Sequence, residues 1–332
     1  MHPHFPPPLL SSFPPFLLSS FPPFLLSLLI LLPPPLLSLL PSCPSSPNTR
    51  NDSPANPNPN PNPNPNPNPY WTSLNLSPIP QPAQQLLQEY SGIPPSLIHQ
   101  HVKQVRDQAL EIYPYPCIAL CAFLDFGVSK TACYDEIKRR LIAGGKLLDL
   151  GCCFGQDIRR LVADGVPASN LYGCDLDPNF IQLGFQLFRD QDSLTSTFFQ
   201  ADVLDPNSPL NQLKGKLDIV NTRNLFHLFP PPQQLEIAKR AVSLFTPTGD
   251  VLLVGHQSGN QVRKEVDFHG SSSSLFMHSD ESWRRLWIEV GEATGTAWEV
   301  SISHEPILSN MVPLLGSGAF IMFFVVRRLA SP

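Results

Sequence analysis

The residues whose types and spacing could support chemistry fall between positions 147 and 257. An apolar run, Leu147 and Leu148, leads into Asp149. Gly151 and Gly155 then bracket a tight turn ahead of a helix that starts near Asp157. Glycines at such a turn let backbone approach a ligand that side chains would block. Cys152 and Cys153 sit inside the turn. Thiols near a helix start can be redox-active, but small side chains tolerated in a tight turn are the plainer reading. A second apolar run from Leu171 ends at Asp175, twenty residues after Gly155. That separation suits a carboxylate that accepts from ribose hydroxyls. Asp177 and Pro178 read as a helix N-cap and a proline in the first helical position.

Dinucleotide sites need G-x-G-x-x-G, so that a helix N-terminus meets a pyrophosphate. Here the pattern is D-x-G-x-x-x-G, with Asp149 at the mouth and Asp157 just inside the helix. Negative charge there repels phosphate and favours a ligand with a cationic amino group. S-adenosyl-L-methionine carries an ammonium, a sulfonium, a ribose and an adenine, and it is the cofactor this pattern predicts. No metal site is expected: Cys117 and Cys121 are followed by no second close pair and no histidine pair.

Alternating elements hold these residues. Strands are predicted at 146–151, 171–175, 197–202, 217–221 and 251–255, with helices at 157–163, 178–188 and 233–245 between them. Strand–helix alternation implies a parallel sheet covered on both faces. A helix over 282–294 precedes two strand-like runs, 298–304 and 319–327, which imply an antiparallel edge pair. Upstream, helices are predicted at 85–90, at 97–112 with Ser96 as cap, and at 134–142. Ligands of such sheets lie beyond the carboxyl ends of the strands. Asn221, Arg223 and His227 after the fourth strand, and His256 with Gln257 after the fifth, therefore come near the reacting atoms. Asp218 is read as structural, and Arg159 and Arg160 as a solvated helix face.

Composition bounds the remainder. The chain has 332 residues and net charge −5, without the basic footprint of a nucleic-acid binder. Of its 40 prolines, 24 fall in the first 80 residues, and no Lys, Arg, Asp or Glu precedes Arg50. SSFPPFLL at 11–18 recurs at 19–26, and Asn-Pro repeats seven times over 56–69. Proline pairs would break any spanning helix here, and no basic n-region marks a secretory signal. An extended arm over 1–70 is expected, with weak membrane association as the second reading. A helical lid follows over 71–143 and a cofactor-binding domain over 144–332. The seven cysteines form no paired framework, which fits reduced thiols in a cytoplasmic protein. The terminal strands could pair across chains, so a homodimer stays open beside a monomer.

From about residue 85 onward the chain resembles the class I S-adenosylmethionine-dependent methyltransferases. Their pattern is D-x-G-x-G-x-G, and Cys153 stands in place of the middle glycine. The resemblance implies a Rossmann-like α/β fold: a seven-stranded, mostly parallel sheet with an antiparallel C-terminal pair, helices on both faces and an N-terminal helical lid. It assigns Asp149, Gly151, Cys152 and Gly155 to the methionine side. Asp175 goes to the ribose, Leu176 packs beside the adenine, and Asp202 and the Val203 amide meet the adenine, with Asn221 close by. The run Leu244-Phe-Thr-Pro-Thr-Gly is similar to the family's turn before strand five, with Thr248 replacing a glycine. Tyr90-Ser-Gly-Ile-Pro, Tyr115-Pro-Cys-Ile, Phe123-Leu-Asp and Phe226-His-Leu-Phe resemble fungal methyltransferases of secondary metabolism. Among these they are most similar to the enzymes that esterify carboxyl groups in meroterpenoid pathways.

Transfer from a sulfonium to oxygen is an in-line displacement that gains mainly from alignment. A carboxylate acceptor is ionised at pH 7 and needs no base, only a group to hold one oxygen, for which Arg223 and His256 are the candidates. A phenol would need a base, and His227 is placed for that or for a structural role beside Phe226 and Phe229. The resemblance favours a carboxylate on an apolar small molecule. A nucleic-acid or protein methyltransferase, and a cofactor-binding relative without catalysis, are the alternatives. The loop 258–281 and the N-terminal helices would line the acceptor pocket.

Overall fold

The structure, a computed structural model, describes residues 78–267, 274–307 and 311–330. The arm expected at 1–70 lies outside them. Helices α1 (Gln81–Glu89) and α2 (Pro95–Ile112) both carry a proline in the first turn, Pro82 and Pro95, where its fixed φ suits the helix and its missing N–H is not needed. Pro94 occupies the N-cap of α2, so Ser96 lies inside the first turn and does not cap. Ile98, Val102, Val105 and Ala109 form the buried stripe of α2. Tyr113 turns extended ahead of Pro114, as a residue before proline must. Short turns over 116–130 lead into α3 (Tyr134–Ile142).

A strand–helix alternation then builds the sheet. Its parts are β1 (Leu147–Leu150), α4 (Gln156–Ala163), β2 (Leu171–Asp175), α5 (Pro178–Phe188), β3 (Thr197–Gln200), β4 (Ile219–Arg223), α6 (Pro231–Leu244) and β5 (Leu252–Asn260). A small hairpin follows, β6 (Lys264–Asp267) and β7 (Ser274–Met277), then α7 (Asp280–Thr294), β8 (Trp298–Pro306) and β9 (Ala319–Arg328). The seven-stranded sheet runs in the order β3-β2-β1-β4-β5-β9-β8, parallel except for β8 and β9. Every residue of β1 and β5 is buried, as expected of strands covered on both faces. Strand order reverses between β1 and β4, which opens a crevice at their carboxyl ends.

Two boundaries differ from expectation for one reason. β5 runs to Asn260 because its whole length pairs with the long β9, a contact invisible in local sequence. His256 and Gln257 are therefore inside the strand, and the expected loop over 258–281 contains the β6–β7 hairpin. β4 starts at Ile219, and Asp218 ahead of it accepts the Lys146 N–H at 2.8 Å, a structural bond as read.

The upstream helices share a core with the sheet's own elements. Leu86, Val102, Phe123 and Phe126 cluster with Phe154 of the glycine turn and with Phe180, Leu183 and Phe188 of α5. Among the described residues no helix is long and apolar enough to cross a membrane. None of their His, Cys, Asp and Glu form a group able to hold a metal ion.

Candidate active site

The glycine turn after β1 closes under β2: the Gly151 and Cys152 N–H groups both donate to the Cys174 carbonyl at 2.9 Å. Three of its residues have left-handed backbone, Gly151 at φ 74°, Cys153 at 51° and Gly155 at 60°. At Gly155 a Cβ would lie 2.5 Å from Arg159 Nη1, so only glycine fits. Cys153 adopts the conformation of the glycine it replaces, which costs on the order of 1–2 kcal/mol for a residue with a Cβ. Asp175 offsets that strain: its carboxylate accepts the Cys153 N–H at 2.8 Å and the Asp177 N–H at 3.2 Å. Burial pushes the Asp175 carboxyl up to about 6, against the pull of those N–H groups. Burial and the neighbouring carboxylates hold the Cys152 and Cys153 thiols well above their ordinary range. They are therefore not reactive thiolates.

A row of buried polar groups crosses the ends of three adjacent strands. Asn221 Nδ2 on β4 donates to Asp149 Oδ1 at 2.8 Å and to Asp157 Oδ2 at 3.3 Å. Arg223 Nη1 donates to the same Asp157 oxygen at 3.3 Å, and Arg223 Nε lies 3.4 Å from His256 Nε2 on β5. One guanidinium faces two carboxyls that are each 1% exposed. Burial and Asp157 together push Asp149 up to about 8, and burial raises Asp157 as well, against the pull of the Arg223 charge. Asp149 Oδ2 is buried with no partner. A buried carboxyl oxygen without a hydrogen bond is expensive in either protonation state, and a cationic ligand at the mouth of the turn would satisfy it.

Several expected roles are corrected by these contacts. Arg223 does not offer a free cation to an acceptor: its donors go to Asp157, His256 and the Ala122 carbonyl at 3.3 Å. His256 is not cationic either, since burial and the Arg223 charge hold its pKa well below the ordinary value. It is a neutral ring whose Nδ1 is buried and unpartnered. His227 is not placed as a base: its Nδ1 accepts the Ser258 N–H at 3.1 Å, which occupies the lone pair a base would use. Burial lowers it to about 4. It ties the turn after β4 to β5. Asn221 is fully buried and orients Asp149 from below. On the other side of the turn, Asp202 accepts the Leu204 N–H at 2.8 Å, Val203 is buried and Leu176 half-buried.

Arg159 is the largest departure. It is fully buried, donates to both Asp190 oxygens at 2.9 and 3.0 Å and to the Phe154 carbonyl at 2.9 Å, and lies against Phe185, Phe188 and Phe198. It forms the floor of the glycine turn. Arg160 next to it pairs with Asp164 at the helix edge. No local signal separates the two arginines, because the burial of the first comes from α5 and β3.

A sheet in this strand order, with a carboxylate-flanked glycine turn at its switch point, defines the class: the S-adenosylmethionine-dependent methyltransferases. Residues 147–249 match the family described as Methyltransferase domain, and residues 71–124 match Meroterpenoid methyltransferase N-terminal domain. The chain is 42% identical over 223 residues to the O-methyltransferase phiE of a fungal species, covering 67% of this chain and 74% of that one. It is 37% identical over 258 residues to the methyltransferase adrK of Penicillium roqueforti, covering 77% and 92%. It is likewise 37% identical over 258 residues to the asnovolin E/chermesin D methyltransferase nvfJ of Aspergillus novofumigatus, covering 76% and 91%. The chain belongs to the family of these fungal methyltransferases.

Proposed function

We propose that this enzyme transfers the methyl group of S-adenosyl-L-methionine to a carboxylate oxygen of a small apolar metabolite, giving a methyl ester. The observation that carries the cofactor assignment is the unpartnered, buried Asp149 oxygen beside a left-handed turn and the Asp175 carboxylate. In this reading Asp149 meets the ammonium, Gly151 to Gly155 pass under the methionine moiety, and Asp175 accepts from the ribose. Leu176, Asp202 and Val203 border the adenine. The bound cofactor supplies a methyl group on a sulfonium, already a good leaving group. The chain's own task is then alignment and exclusion of water. A carboxylate acceptor fits a site whose histidines are neutral and whose His227 is already engaged, because it arrives ionised. The helical segment before α3 serves as lid over the acceptor.

The test is calorimetric titration of the protein with S-adenosylhomocysteine and with NAD under the same conditions. Micromolar binding of the first and none of the second is expected; the reverse preference would sink the reading. The pH dependence has a definite sign. With its pKa near 8 in the free protein, Asp149 carries a proton at pH 7. An ammonium beside it lowers that pKa, so binding releases a proton and affinity rises with pH until it levels above about 8. Titrations in buffers of different ionisation enthalpy read the proton directly.

In this reading His256 supports the acceptor wall from beneath: Arg223 donates to its Nε2, which leaves the proton on Nδ1, and that nitrogen is buried against Gly127. His256→Ala is expected to lower kcat/KM for the acceptor by roughly tenfold, because the Gly127 stretch loses the ring it rests on. The affinity for S-adenosylhomocysteine should stay within about threefold. Asnovolin E and chermesin D serve as trial acceptors.

A further inference from the structure

The polar row beneath the cofactor turn does not end at β5 but reaches the segment ahead of α3. Arg223 Nη2 donates to the Ala122 carbonyl at 3.3 Å, and Val128 N–H donates to Asp157 Oδ1 at 3.3 Å. The buried Asp157–Arg223 pair thus holds both ends of one short stretch. Between those two bonds, Gly127 is seated directly on the pair's neighbours: a Cβ there would lie 2.7 Å from Arg223 Nε and 2.7 Å from His256 Nδ1. The same stretch touches the cofactor turn, because Phe123 packs edge-on against Phe154 at 4.8 Å between ring centroids. Buried ion pairs are weak sources of stability, since the cost of removing both charges from water offsets their attraction. What this pair does supply is a fixed geometry linking a lid to the ends of β4 and β5.

We infer that Arg223 and Gly127 are positioning residues for the methyl acceptor: they fix residues 122–130 as a pocket wall and couple that wall, through Asp157 and Asn221, to the Asp149 side of the cofactor site. The inference rests on the cofactor reading given above. Arg223 acts through Ala122 and Asp157 and touches no reacting atom. Cofactor bound at Asp149 pulls on Asn221, which shares Asp157 with the wall, so an occupied cofactor site steadies the surface that receives the acceptor.

Hydrogen–deuterium exchange of the full chain, with and without saturating S-adenosylhomocysteine, tests this. In the wild type the ligand is expected to slow exchange over 122–130, Val128 included, by about fivefold or more. Arg223→Gln and Gly127→Ala should abolish that slowing while exchange in β1 and β4, and affinity for S-adenosylhomocysteine, change by less than about threefold. Arg223→Lys should restore part of it. With a trial acceptor that is turned over, Gly127→Ala should raise the acceptor KM by about tenfold and leave kcat within about threefold. Gly127→Ala removes no charged group, so it decides the matter if Arg223→Gln does not fold. Equal ligand-induced protection at 122–130 in the wild type and in Gly127→Ala would overturn the inference and leave the cofactor reading intact. Absence of S-adenosylhomocysteine binding to the wild type would overturn the cofactor reading and the inference with it.

Discussion

Asp175→Ala is expected to weaken S-adenosylhomocysteine binding by about 100-fold or more, with the protein still folded. Two losses add. In the proposed cofactor pose the ribose hydroxyls lose a charged acceptor, and hydrogen bonds to charged groups contribute about 1.5–3 kcal/mol each. The turn also loses its clamp, because Asp175 accepts the N–H of Cys153, the one turn residue forced to a positive φ without being glycine. Asp175→Asn separates the two effects in part. It keeps the volume, but it can turn an N–H donor toward the Cys153 N–H, so a loss of about tenfold is expected. The pH profile should agree. Burial lifts the Asp175 carboxyl to about 6, so protonation below that pH removes an acceptor and affinity falls as pH drops through 6. Calorimetric titration at pH 5 and 7, beside thermal denaturation of each variant, checks all of this. Unchanged affinity for Asp175→Ala would move ribose binding away from β2.

What could be read from sequence was whatever local chemistry decides. The bounds of α3, β2 and α5 follow from residues within one turn of them. Asp177 accepts the Asn179 N–H at the N-cap of α5, Pro178 starts that helix, and Asp175 ends its strand at a conformational break. The glycine turn was legible for the same reason, as were the two carboxylates that flank it. The length of β5 was not, because its last residues are strand only through pairing with β9, some sixty positions away. The roles of Arg223, His227 and Arg159 were illegible in another way. A basic residue near a strand end reads as available to a substrate, and one on a helix as solvated, until its partners are known, and those partners, Asp157, Ser258 and Asp190, come from other elements. The glycine turn is specified by backbone geometry, which sequence encodes locally. The contacts of Arg223, His227 and Arg159 are specified by long-range packing, which it encodes only through the whole fold.

That long-range packing carries the largest stability effect expected of any single substitution here. Arg159→Met should destabilise the fold by about 3–5 kcal/mol, because it leaves Asp190 buried and short of its counter-charge. Asp190 cannot shed that burden easily. At 3% exposure it also accepts from the Tyr90 hydroxyl at 2.8 Å, so it joins the end of α1 to α4 and to the chain just beyond α5. For a domain of this size the melting temperature should fall by about 10 °C or more. Arg159→Lys retains the charge but not the two-pronged fork that meets both Asp190 oxygens, so roughly half the loss is expected. The Phe154 carbonyl loses its donor in both variants, and the support under Gly155 goes with it. Affinity for S-adenosylhomocysteine should therefore fall even at temperatures where the variants are fully folded. A melting temperature within about 2 °C of wild type for Arg159→Met would mean that the ion pair only balances its own desolvation. A normal affinity in a clearly destabilised Arg159→Met would mean that the turn holds its shape through Asp175 alone.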